Sequence, residues 1–214
     1  MVVVYSFDMN VLITGGGTRE DIDPVRGITN YSTGRLASCV AERFLAAGAD
    51  VTYICGENAV RPDGLDACVV RSTMQMLSAM ELALFSARYD FVVHAAAVSD
   101  FTPENPSLKK ISSDVPQINL VLKRLPKLIN RVKEIQPETL LVGFKLLSGV
   151  GEEELLLAAR KLMAGSGADY VLANRLEDIY GNSHKALLLG ADGVLARASN
   201  KLEIAEMIFR EVTG

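Results

Sequence analysis

Short runs of β-branched and aliphatic residues alternate along the chain with longer stretches whose apolar residues recur at helical spacing. Runs of the first kind are typical of buried strands, and stretches of the second kind are typical of amphipathic helices. The predicted strands are residues 10–14, 50–55, 67–71, 90–94, 139–145 and 169–173. The predicted helices are residues 33–47, 74–87, 127–134, 152–165 and 201–212.

This order of elements predicts the α/β class, with a mainly parallel sheet covered by helices on both faces. The end of the chain differs, because "HKALLLGADGVLARASN" contains two short apolar runs around Gly190 and Gly193, which predict a β-hairpin. We therefore expect a single domain over residues 1–214, a three-layer sandwich that ends in a hairpin and a helix. Residues 1–8 precede the first strand pattern, and we interpret them as an optional or non-native extension.

The composition adds mainly exclusions. The chain is 49% hydrophobic and 22% charged, as is ordinary for a globular protein, and its net charge of −4 gives no reason to expect a nucleic-acid partner. Three cysteines without CxxC spacing and only two histidines argue against a zinc site. No apolar run approaches the ~20 residues of a membrane span, and the N-terminus lacks the basic region of a signal peptide. We therefore expect a cytoplasmic protein without a membrane partner.

Three glycines, Gly15, Gly16 and Gly17, follow the first predicted strand in "VLITGGG". Glycines here let backbone N–H groups approach an anion closely, although a tight turn without a ligand would also need them. In open α/β sheets the carboxyl ends of the strands face the ligand crevice, which favours the anion site. A polar detour, "TREDIDPVRGI", then separates the glycines from the next helix.

The detour ends in "NYSTG", residues 30–34. Ser32 or Thr33 could cap the next helix, or their hydroxyls could join the N–H groups beyond Gly34 in holding phosphate oxygens. Asn30 offers an amide that can donate to a carbonyl oxygen or an oxyanion. Arg26 could bind a carboxylate or phosphate through its two-pronged guanidinium, or form a surface ion pair.

Small residues follow the fourth predicted strand in "HAAAVSDF". The alanines 95–97 would let a base or ribose lie near the backbone, or would simply pack against a helix. Asp100 stands at the exit of the strand, placed for ribose hydroxyls or a metal ion. His94 is expected to be a hydrogen-bonded core residue rather than a catalyst.

The segment 101–117, "FTPENPSLKKISSDVPQ", contains three prolines and is predicted to be a mobile loop. A lysine on such a loop, Lys109 or Lys110, could meet developing negative charge, although solvated lysines are the common alternative. No GxSxG, HExxH or GxxxxGK[ST] motif occurs, and none of the six tyrosines has a lysine four residues on. The site is therefore predicted to use backbone donors, amides and cations, which suit an anionic transition state.

Five motifs occur in the order found in one family: "ITGGGTREDIDPVRGITNYSTGRLA", "HAAAVSDF", "KKISS", "LVGFKLL" and "LANRL". In these motifs the chain resembles the phosphopantothenoylcysteine synthetases, also called phosphopantothenate–cysteine ligases, of coenzyme A biosynthesis. The likeness runs from about residue 9 to the last helix. Its Asp-Pro-Val-Arg…Asn…Ser…Gly combination is far more specific than a glycine loop.

The resemblance implies a Rossmann-like fold and a homodimer whose active sites lie near the subunit interface. It also implies a two-step reaction. The carboxylate of 4′-phosphopantothenate attacks the α-phosphate of a nucleoside triphosphate, which gives an acyl-nucleotidylate and pyrophosphate, and the cysteine amine then displaces the nucleoside monophosphate. Mg²⁺ would be carried mainly on the triphosphate, and no residue is assigned as a metal ligand.

The resemblance also implies roles for particular residues. The turn Gly15, Gly16, Gly17 and the helix start Ser32, Thr33, Gly34 would cradle the triphosphate. Asn30 would contact the acyl carbonyl of the intermediate, Arg26 would help to bind phosphopantothenate, and Lys110 would neutralise charge on the phosphates in the first step. Positions around the nucleoside are matched by Ala97, Asp100, Phe144, Lys145 and Asn174, with Asp100 on the ribose side.

The chain departs from the form that is fused to phosphopantothenoylcysteine decarboxylase. Its lid reads "KISS" from Lys110 where that form usually has Lys-x-Lys-Lys, and Phe144-Lys145-Leu146 is closer to stand-alone bacterial and eukaryotic forms. Bacterial members generally use CTP and eukaryotic members accept ATP, so the nucleotide stays open, with CTP favoured. The length leaves no room for a decarboxylase domain, and we expect a separate decarboxylase partner to act next.

Two other function classes stay open at this point. A short-chain-type NAD(P)-dependent oxidoreductase would use Glu57, after the second predicted strand, to hold a ribose, but the long detour and the missing Tyr-xxx-Lys pair argue against it. A non-catalytic nucleotide-binding module would bind nucleotide without releasing pyrophosphate. The joint presence of Arg26, Asn30 and Lys110 argues against the module.

Overall fold

The structure is a computed structural model that describes residues 9–214, so the expectation about residues 1–8 lies outside the described residues. Five α-helices occur in the described part of the chain. They are α1 (Arg35–Ala46), α2 (Thr73–Ser86), α3 (Leu128–Ile135), α4 (Glu152–Ser166) and α5 (Lys201–Thr213), and a 3₁₀ turn spans Leu176–Asp178. None of these helices is long and apolar enough to span a lipid bilayer.

The strands fall into one large sheet and three short ribbons. The eight strands of the large sheet are β1 (Asn10–Gly15), β4 (Asp50–Gly56), β5 (Ala67–Val70), β6 (Phe91–His94), β9 (Leu140–Leu147), β10 (Tyr170–Arg175), β13 (Ala186–Gly190) and β14 (Gly193–Ala198). The ribbons pair β2 (Arg19–Asp21) with β3 (Gly27–Thr29), β7 (Phe101–Pro103) with β8 (Leu122–Arg124), and β11 (Ile179–Tyr180) with β12 (Ser183–His184).

The order of strands in the large sheet is β14-β13-β10-β9-β6-β1-β4-β5. The six strands from β10 to β5 are parallel, whereas β13 and β14 form an antiparallel hairpin at the other edge. Strands β1, β6, β9 and β10 are almost continuously apolar, as expected of parallel strands that are buried on both faces. The prediction of a mainly parallel, Rossmann-like sheet with a C-terminal hairpin is confirmed.

Helices cover both faces of the sheet and complete the three layers. On one face α1 and α5 pack against alternate strand residues, with Phe44 and Ile208 fully buried between them and the sheet. On the other face α2, α3 and α4 bury Met80, Val132 and Ala159 against the intervening residues. This division follows from the two-residue alternation of side chains along each strand, which sends neighbours to opposite faces.

The prediction of a loop over residues 101–117 needs correction at its start. Phe101–Pro103 pair with Leu122–Arg124 to form the β7–β8 ribbon. We call residues 101–124, which comprise this ribbon and the loop between its strands, the arm. The helix predicted over residues 152–165 extends one residue further, to Ser166, and the left-handed residue that ends it is Gly167 (φ 68°).

Candidate active site

The carboxyl edge of the parallel strands brings most of the predicted site residues together. In the register of the sheet, Thr14 of β1 lies opposite His94 of β6, and His94 lies opposite Gly143 of β9. β9 and β10 continue past this level to Leu147 and Arg175, so they wall one side of the crevice above β1 and β6. The crevice therefore lies where open α/β sheets bind their ligands.

The floor of this crevice is a surface of glycine backbone, which we call the cradle: Gly15, Gly16, Gly17, Gly34 and Gly56. Gly16 and Gly34 have positive φ angles of 75° and 71°, which favour glycine. A Cβ on Gly34 would lie 3.2 Å from the backbone nitrogen of Gly16, so these two glycines are in direct contact. The turn after β1 and the start of α1 therefore form one continuous backbone surface without side chains.

Neither Ser32 nor Thr33 is the N-cap residue of α1, contrary to one of the two interpretations of their role. The helix begins at Arg35 with Gly34 as the N-cap residue, which has no side chain to cap it. Gly34 occupies this place because any side chain would meet the Cβ of Ala59, at 2.8 Å from its own Cβ. Of the first N–H groups of α1, that of Arg35 donates to the Thr33 hydroxyl at 3.4 Å, whereas those of Leu36 and Ala37 make no hydrogen bond within the described residues and are available to an anion at the helix N-terminus.

Asn30 is bound to the backbone that leaves β6. Its side-chain Nδ2 donates to the carbonyl oxygens of Ala97 (3.1 Å) and Val98 (3.0 Å). Ala97 in turn donates its N–H to the carbonyl oxygen of Gly16 (2.8 Å) and forms an isolated bridge with Gly17. Asn30 and Ala97 are 67 residues apart in the chain, and the fold brings them together with the cradle.

His94 lies beneath this junction and is a core residue, as predicted. Its Nδ1 lies 2.8 Å from the hydroxyl oxygen of Thr14, which also accepts the N–H of Ala96 at 3.3 Å. Burial lowers the pKa of His94 to about 4, so the imidazole is neutral at pH 7. The side chain is buried and ties β1 to β6 directly under the crevice.

Arg26 is held in place from two sides. Its Nη1 donates to Asp23 Oδ2 (3.1 Å) and to the carbonyl oxygen of Ile111 in the arm (3.2 Å). Its Nε and Nη2 make no hydrogen bond within residues 9–214, and about a third of its side chain is exposed. The guanidinium therefore keeps a free prong for an anion, which a surface ion pair alone would not guarantee.

Lys109 and Lys110 are both exposed on the arm. Lys110 immediately precedes Ile111, whose peptide unit contacts Asp23 and Arg26, so the backbone of Lys110 is fixed next to Arg26. Asp100, at the base of the arm, is also exposed, and its carboxylate pairs with Lys127 Nζ at 2.5 Å. A ribose hydroxyl or a metal ion at Asp100 would have to share the carboxylate with that lysine.

The remaining predicted residues divide between the two faces of the sheet. Phe144 packs on the side of α1 and α5. Lys145, its neighbour in β9, lies on the opposite face of the sheet together with Leu147, because side chains alternate along a strand. Asn174 lies on the same face of the sheet as Phe144 and is buried. Its Nδ2 atom lies 3.0 Å from His184 Nε2. Burial and then the charge of Lys201 lower the pKa of His184 to about 4.

Several contributors to the site escaped sequence reasoning. Gly56 ends β4, and a Cβ on it would lie 2.1 Å from the carbonyl oxygen of Gly17, so only glycine fits. Its position directly after a predicted strand was the available signal. The sequence marked Asp23 only as part of the detour, yet its side chain is fully buried.

Glu57 is the residue that the oxidoreductase alternative would use to hold a ribose. Its Oε2 atom lies 3.6 Å from Arg71 Nη1.

Among residues 9–214 no cluster of three or more histidine, cysteine or acidic side chains is arranged to hold a metal ion. The three cysteines are unpaired: Cys55 is buried, Cys39 is partly buried and Cys68 is exposed on β5. Burial raises the pKa of the Cys39 and Cys55 thiols, which makes them less reactive. Cys55 lies opposite Gly15 in the sheet and so neighbours the cradle, but its side chain is completely buried.

Fold and site together define a Rossmann-like α/β protein with a glycine cradle at the carboxyl edge of its sheet. The sequence model of the family described as "DNA/pantothenate metabolism flavoprotein C-terminal domain" matches residues 7–214, so the chain belongs to that family. The likeness that the motifs indicated is thereby confirmed.

Individual relatives agree with this assignment. The chain is 43% identical over 94% of its length to the coenzyme A biosynthesis bifunctional protein CoaBC of Thermococcus kodakarensis, of which it covers 50%. It superposes on a DNA/pantothenate metabolism flavoprotein from Streptococcus pneumoniae with a TM-score of 0.87 and 34% identity, covering 95% of this chain and 98% of that one. The C-terminal domain of a CoaBC protein gives a TM-score of 0.76 at 26% identity, with 95% and 93% covered. The chain spans about half the length of the curated relatives it matches.

Proposed function

We propose that the chain is a phosphopantothenate–cysteine ligase of coenzyme A biosynthesis. The observation that supports this most directly is the return of the polar detour onto the cradle, where Asn30 donates to Ala97 and Val98 beside Gly17. An ordinary dinucleotide-binding turn needs no such detour, because its helix follows the strand directly. The motif resemblance and the similarity to proteins named for coenzyme A biosynthesis support the same reading.

In the first step the carboxylate of 4′-phosphopantothenate attacks the α-phosphorus of the nucleotide, and the bond to pyrophosphate breaks. The chain contributes no nucleophile; it positions two anions and neutralises their charge. The cradle and the N-terminus of α1, with Ser32 and Thr33 nearby, hold the triphosphate through N–H groups and hydroxyls. Arg26 binds phosphopantothenate with its free prong, and Lys110 approaches the phosphates from the arm.

In the second step the amine of cysteine attacks the acyl carbon, and the nucleoside monophosphate leaves. Asn30 supports this step by donating to the acyl oxygen. Because its Nδ2 already serves the carbonyls of Ala97 and Val98, one of these hydrogen bonds is exchanged for the acyl oxygen on binding. The exchange keeps the number of hydrogen bonds that Nδ2 donates constant, and the carbonyl oxygen of Ala97, if released, still accepts the N–H of Thr18 at 3.4 Å, so the exchange costs little free energy.

The nucleoside lies against Ala97, which forms a bridge with Gly17, and against Phe144 and Asn174, which share the α1 side of the sheet. Lys145 reaches it from the far side of β9, and Asp100 binds the ribose at the edge of the arm. CTP is the favoured nucleotide and ATP the alternative. Mg²⁺ enters with the triphosphate, whose oxygens are the ligands that this ion prefers.

The chain acts as a homodimer, and the arm is the surface that supports this. Seven apolar side chains on or beside it are exposed: Phe101, Leu108, Val115, Ile118, Leu120, Val121 and Leu122. Exposed apolar clusters of this kind mark interaction surfaces. Sedimentation velocity tests the proposal: Val121→Glu should shift a dimer towards monomer, whereas Leu82→Glu, on the exposed face of α2, should not. A monomeric wild-type protein at micromolar concentration would contradict it.

The experiment that tests the ligase is pyrophosphate release by the purified chain with 4′-phosphopantothenate, cysteine and Mg²⁺, with CTP and ATP compared. We expect release that depends on phosphopantothenate and is faster with CTP. Release with ATP alone would correct the nucleotide but keep the reaction. A folded protein that releases no pyrophosphate with either nucleotide would contradict the ligase. We propose that a separate decarboxylase then takes the product of this reaction as its substrate.

Ligand-induced thermal shifts separate the other function classes. A ligand that binds the folded state raises the melting temperature, so CTP or ATP with Mg²⁺ should stabilise the chain and NADPH should not. Stabilisation by NADPH alone would favour the oxidoreductase. Stabilisation by a nucleotide without pyrophosphate release would favour the non-catalytic binding module.

A further inference from the structure

Asp23 is a carboxylate of the detour whose side chain is completely buried. A buried carboxylate is stable only where donors replace the water that it lost. Asp23 has four such contacts. Its Oδ1 accepts the N–H groups of Val25 (2.9 Å) and Arg26 (2.8 Å), and its Oδ2 accepts Arg26 Nη1 (3.1 Å) and the N–H of Ile111 (3.1 Å).

These donors keep the carboxylate ionised. Burial raises the pKa of Asp23, but the N–H groups of Val25, Ile111 and Arg26 and the charge of the guanidinium outweigh it, so the pKa lies below its ordinary value. A protonated Asp23 could not accept all four bonds. The group is therefore a permanent acceptor over the physiological pH range.

Asp23 and Arg26 together hold one peptide unit of the arm. Asp23 accepts the N–H of Ile111, while Arg26 Nη1 donates to the carbonyl oxygen of the same residue at 3.2 Å. We call this arrangement of Asp23, Arg26 and Ile111 the clamp. It satisfies both polar groups of a residue in a loop, as a partner strand would, but with side chains.

The clamp is the main attachment of the arm's loop to the body. Within the described chain, residues 105–120 make one other hydrogen bond to the body, from the N–H of Ser107 to the carbonyl oxygen of Ile22 (2.9 Å). The remaining hydrogen bonds of this segment are local, such as those of Asp114 with Ser112. The position of Lys110, directly before Ile111, therefore depends on Asp23.

We propose that Asp23 is a positioning residue that couples Arg26 to Lys110, so that the cation for phosphopantothenate and the cation for the phosphates are placed by one buried carboxylate. The inference rests on the proposed function for the roles of the two cations, and on the contacts alone for the attachment of the arm. Asp23 touches neither substrate. It fixes the guanidinium with its free prong outward and fixes the backbone from which Lys110 extends.

Limited trypsin digestion tests the attachment without using activity. Asn in place of Asp23 presents an NH₂ group to at least one of the donors, so Asp23→Asn should release the arm and speed cleavage after Lys109 and Lys110 by about tenfold. The control is Asp114→Asn, the same chemical change on the exposed part of the arm, which should leave cleavage unchanged. Equal cleavage of wild type and Asp23→Asn would overturn the proposal.

A second variant covers the outcome in which Asp23→Asn does not fold. Ile111→Pro removes the N–H that Asp23 accepts and leaves the carboxylate and the Arg26 turn in place. Cleavage after Lys109 should rise by a similar factor while the melting temperature stays within a few degrees of wild type. An arm that stays protected in this variant would also overturn the proposal.

A double-mutant cycle tests the coupling. Asp23→Asn should lower kcat/KM for pyrophosphate release by about 10²-fold in the wild-type background and by less than about tenfold beside Lys110→Ala, because residues that act through one another are not additive. Multiplicative losses would contradict the coupling. If the wild-type chain releases no pyrophosphate, the proposed function fails, whereas the digestion of the two variants still decides whether Asp23 attaches the arm.

Discussion

The cradle and the arm are the two halves of the candidate site, and they are built in opposite ways. The cradle is backbone packed against backbone, so tightly that a Cβ on Gly56 would lie 2.1 Å from the carbonyl oxygen of Gly17. The arm is exposed, and side chains of Asp23 and Arg26 hold it at Ile111. Rigid backbone suits the fixed geometry of phosphates, whereas side-chain contacts can be made and exchanged as substrates enter.

The largest expected effect is the loss of the cradle by Gly56→Ala. The added methyl would meet the carbonyl oxygen and carbonyl carbon of Gly17 at 2.1 and 3.1 Å, and backbone on both sides cannot move aside. We expect the free energy of unfolding to fall by about 3 kcal/mol or more, as measured by urea denaturation. A variant as stable as wild type would show that the cradle is looser than its contacts indicate.

On the arm, Lys110→Ala should affect chemistry and not folding. Removing one cation from the developing charge is expected to slow pyrophosphate release by about 10²-fold, while the melting temperature stays unchanged because the side chain is exposed. Lys109→Ala is the matched control, with an expected loss below about threefold. Equal losses in the two variants would mean that the arm supplies only a general positive field.

Acid should weaken the region beneath the cradle before it weakens the clamp. The pKa values of His94, beneath the cradle, and of His184, beside Asn174, are lowered to about 4, below the ordinary 6.5. The unfolded chain therefore binds more protons, and stability falls as the pH drops from about 7 towards 4. The buried His94 alone should reduce the free energy of unfolding by about 2 kcal/mol between pH 7.5 and pH 5.

Urea titrations across this pH range check the expectation. His94→Gln should flatten the dependence even though it lowers stability at pH 7.5. The pKa of Asp23 is shifted downwards, so its contribution is lost only at lower pH, when the carboxylate takes up a proton. Arm cleavage by a protease active at pH 5 should therefore match that at pH 7.5. If the arm were released at a higher pH than the one at which the free energy of unfolding begins to fall, the expected order would be wrong.

The smallest effect is expected from Gly165→Ala, which lies in neither region. A Cβ there meets nothing within 4 Å, and the residue is inside α4. Alanine should therefore stabilise the chain by about 0.5–1 kcal/mol. Measured beside Gly56→Ala, it separates the general cost of a methyl group from the specific closeness of the cradle.

The sequence was sufficient for the parts of the fold that depend on local pattern. Buried parallel strands are continuous apolar runs, so β1, β6 and β10 were predictable to within a residue or two at each end, and the hairpin at Gly190 and Gly193 was too. The N-cap of α1 was not predictable, because Gly34 is required by Ala59 and Gly16, which are distant in sequence or in a turn.

The candidate site divides in the same way. Gly15–Gly17, Asn30 and Lys110 stand out because their residue types are unusual at those places in the pattern. Asp23 and Gly56 do not, since their importance lies in contacts with Ile111 and Gly17 that only the folded chain makes. Two further features likewise follow from tertiary contacts alone. They are the nitrogen atoms of Arg26 that stay free and the ion pair of Asp100 with Lys127.

The most direct test of the account is the time course of pyrophosphate release with 4′-phosphopantothenate, Mg²⁺ and CTP or ATP in excess over the enzyme but no cysteine. An acyl-nucleotidylate that forms before cysteine reacts should give a burst of about one pyrophosphate per active site, followed by continued release when cysteine is added. Asn30→Asp should keep the burst and slow the second phase. Pyrophosphate that appears only when cysteine is present, or a burst that does not need phosphopantothenate, would contradict the two-step ligase.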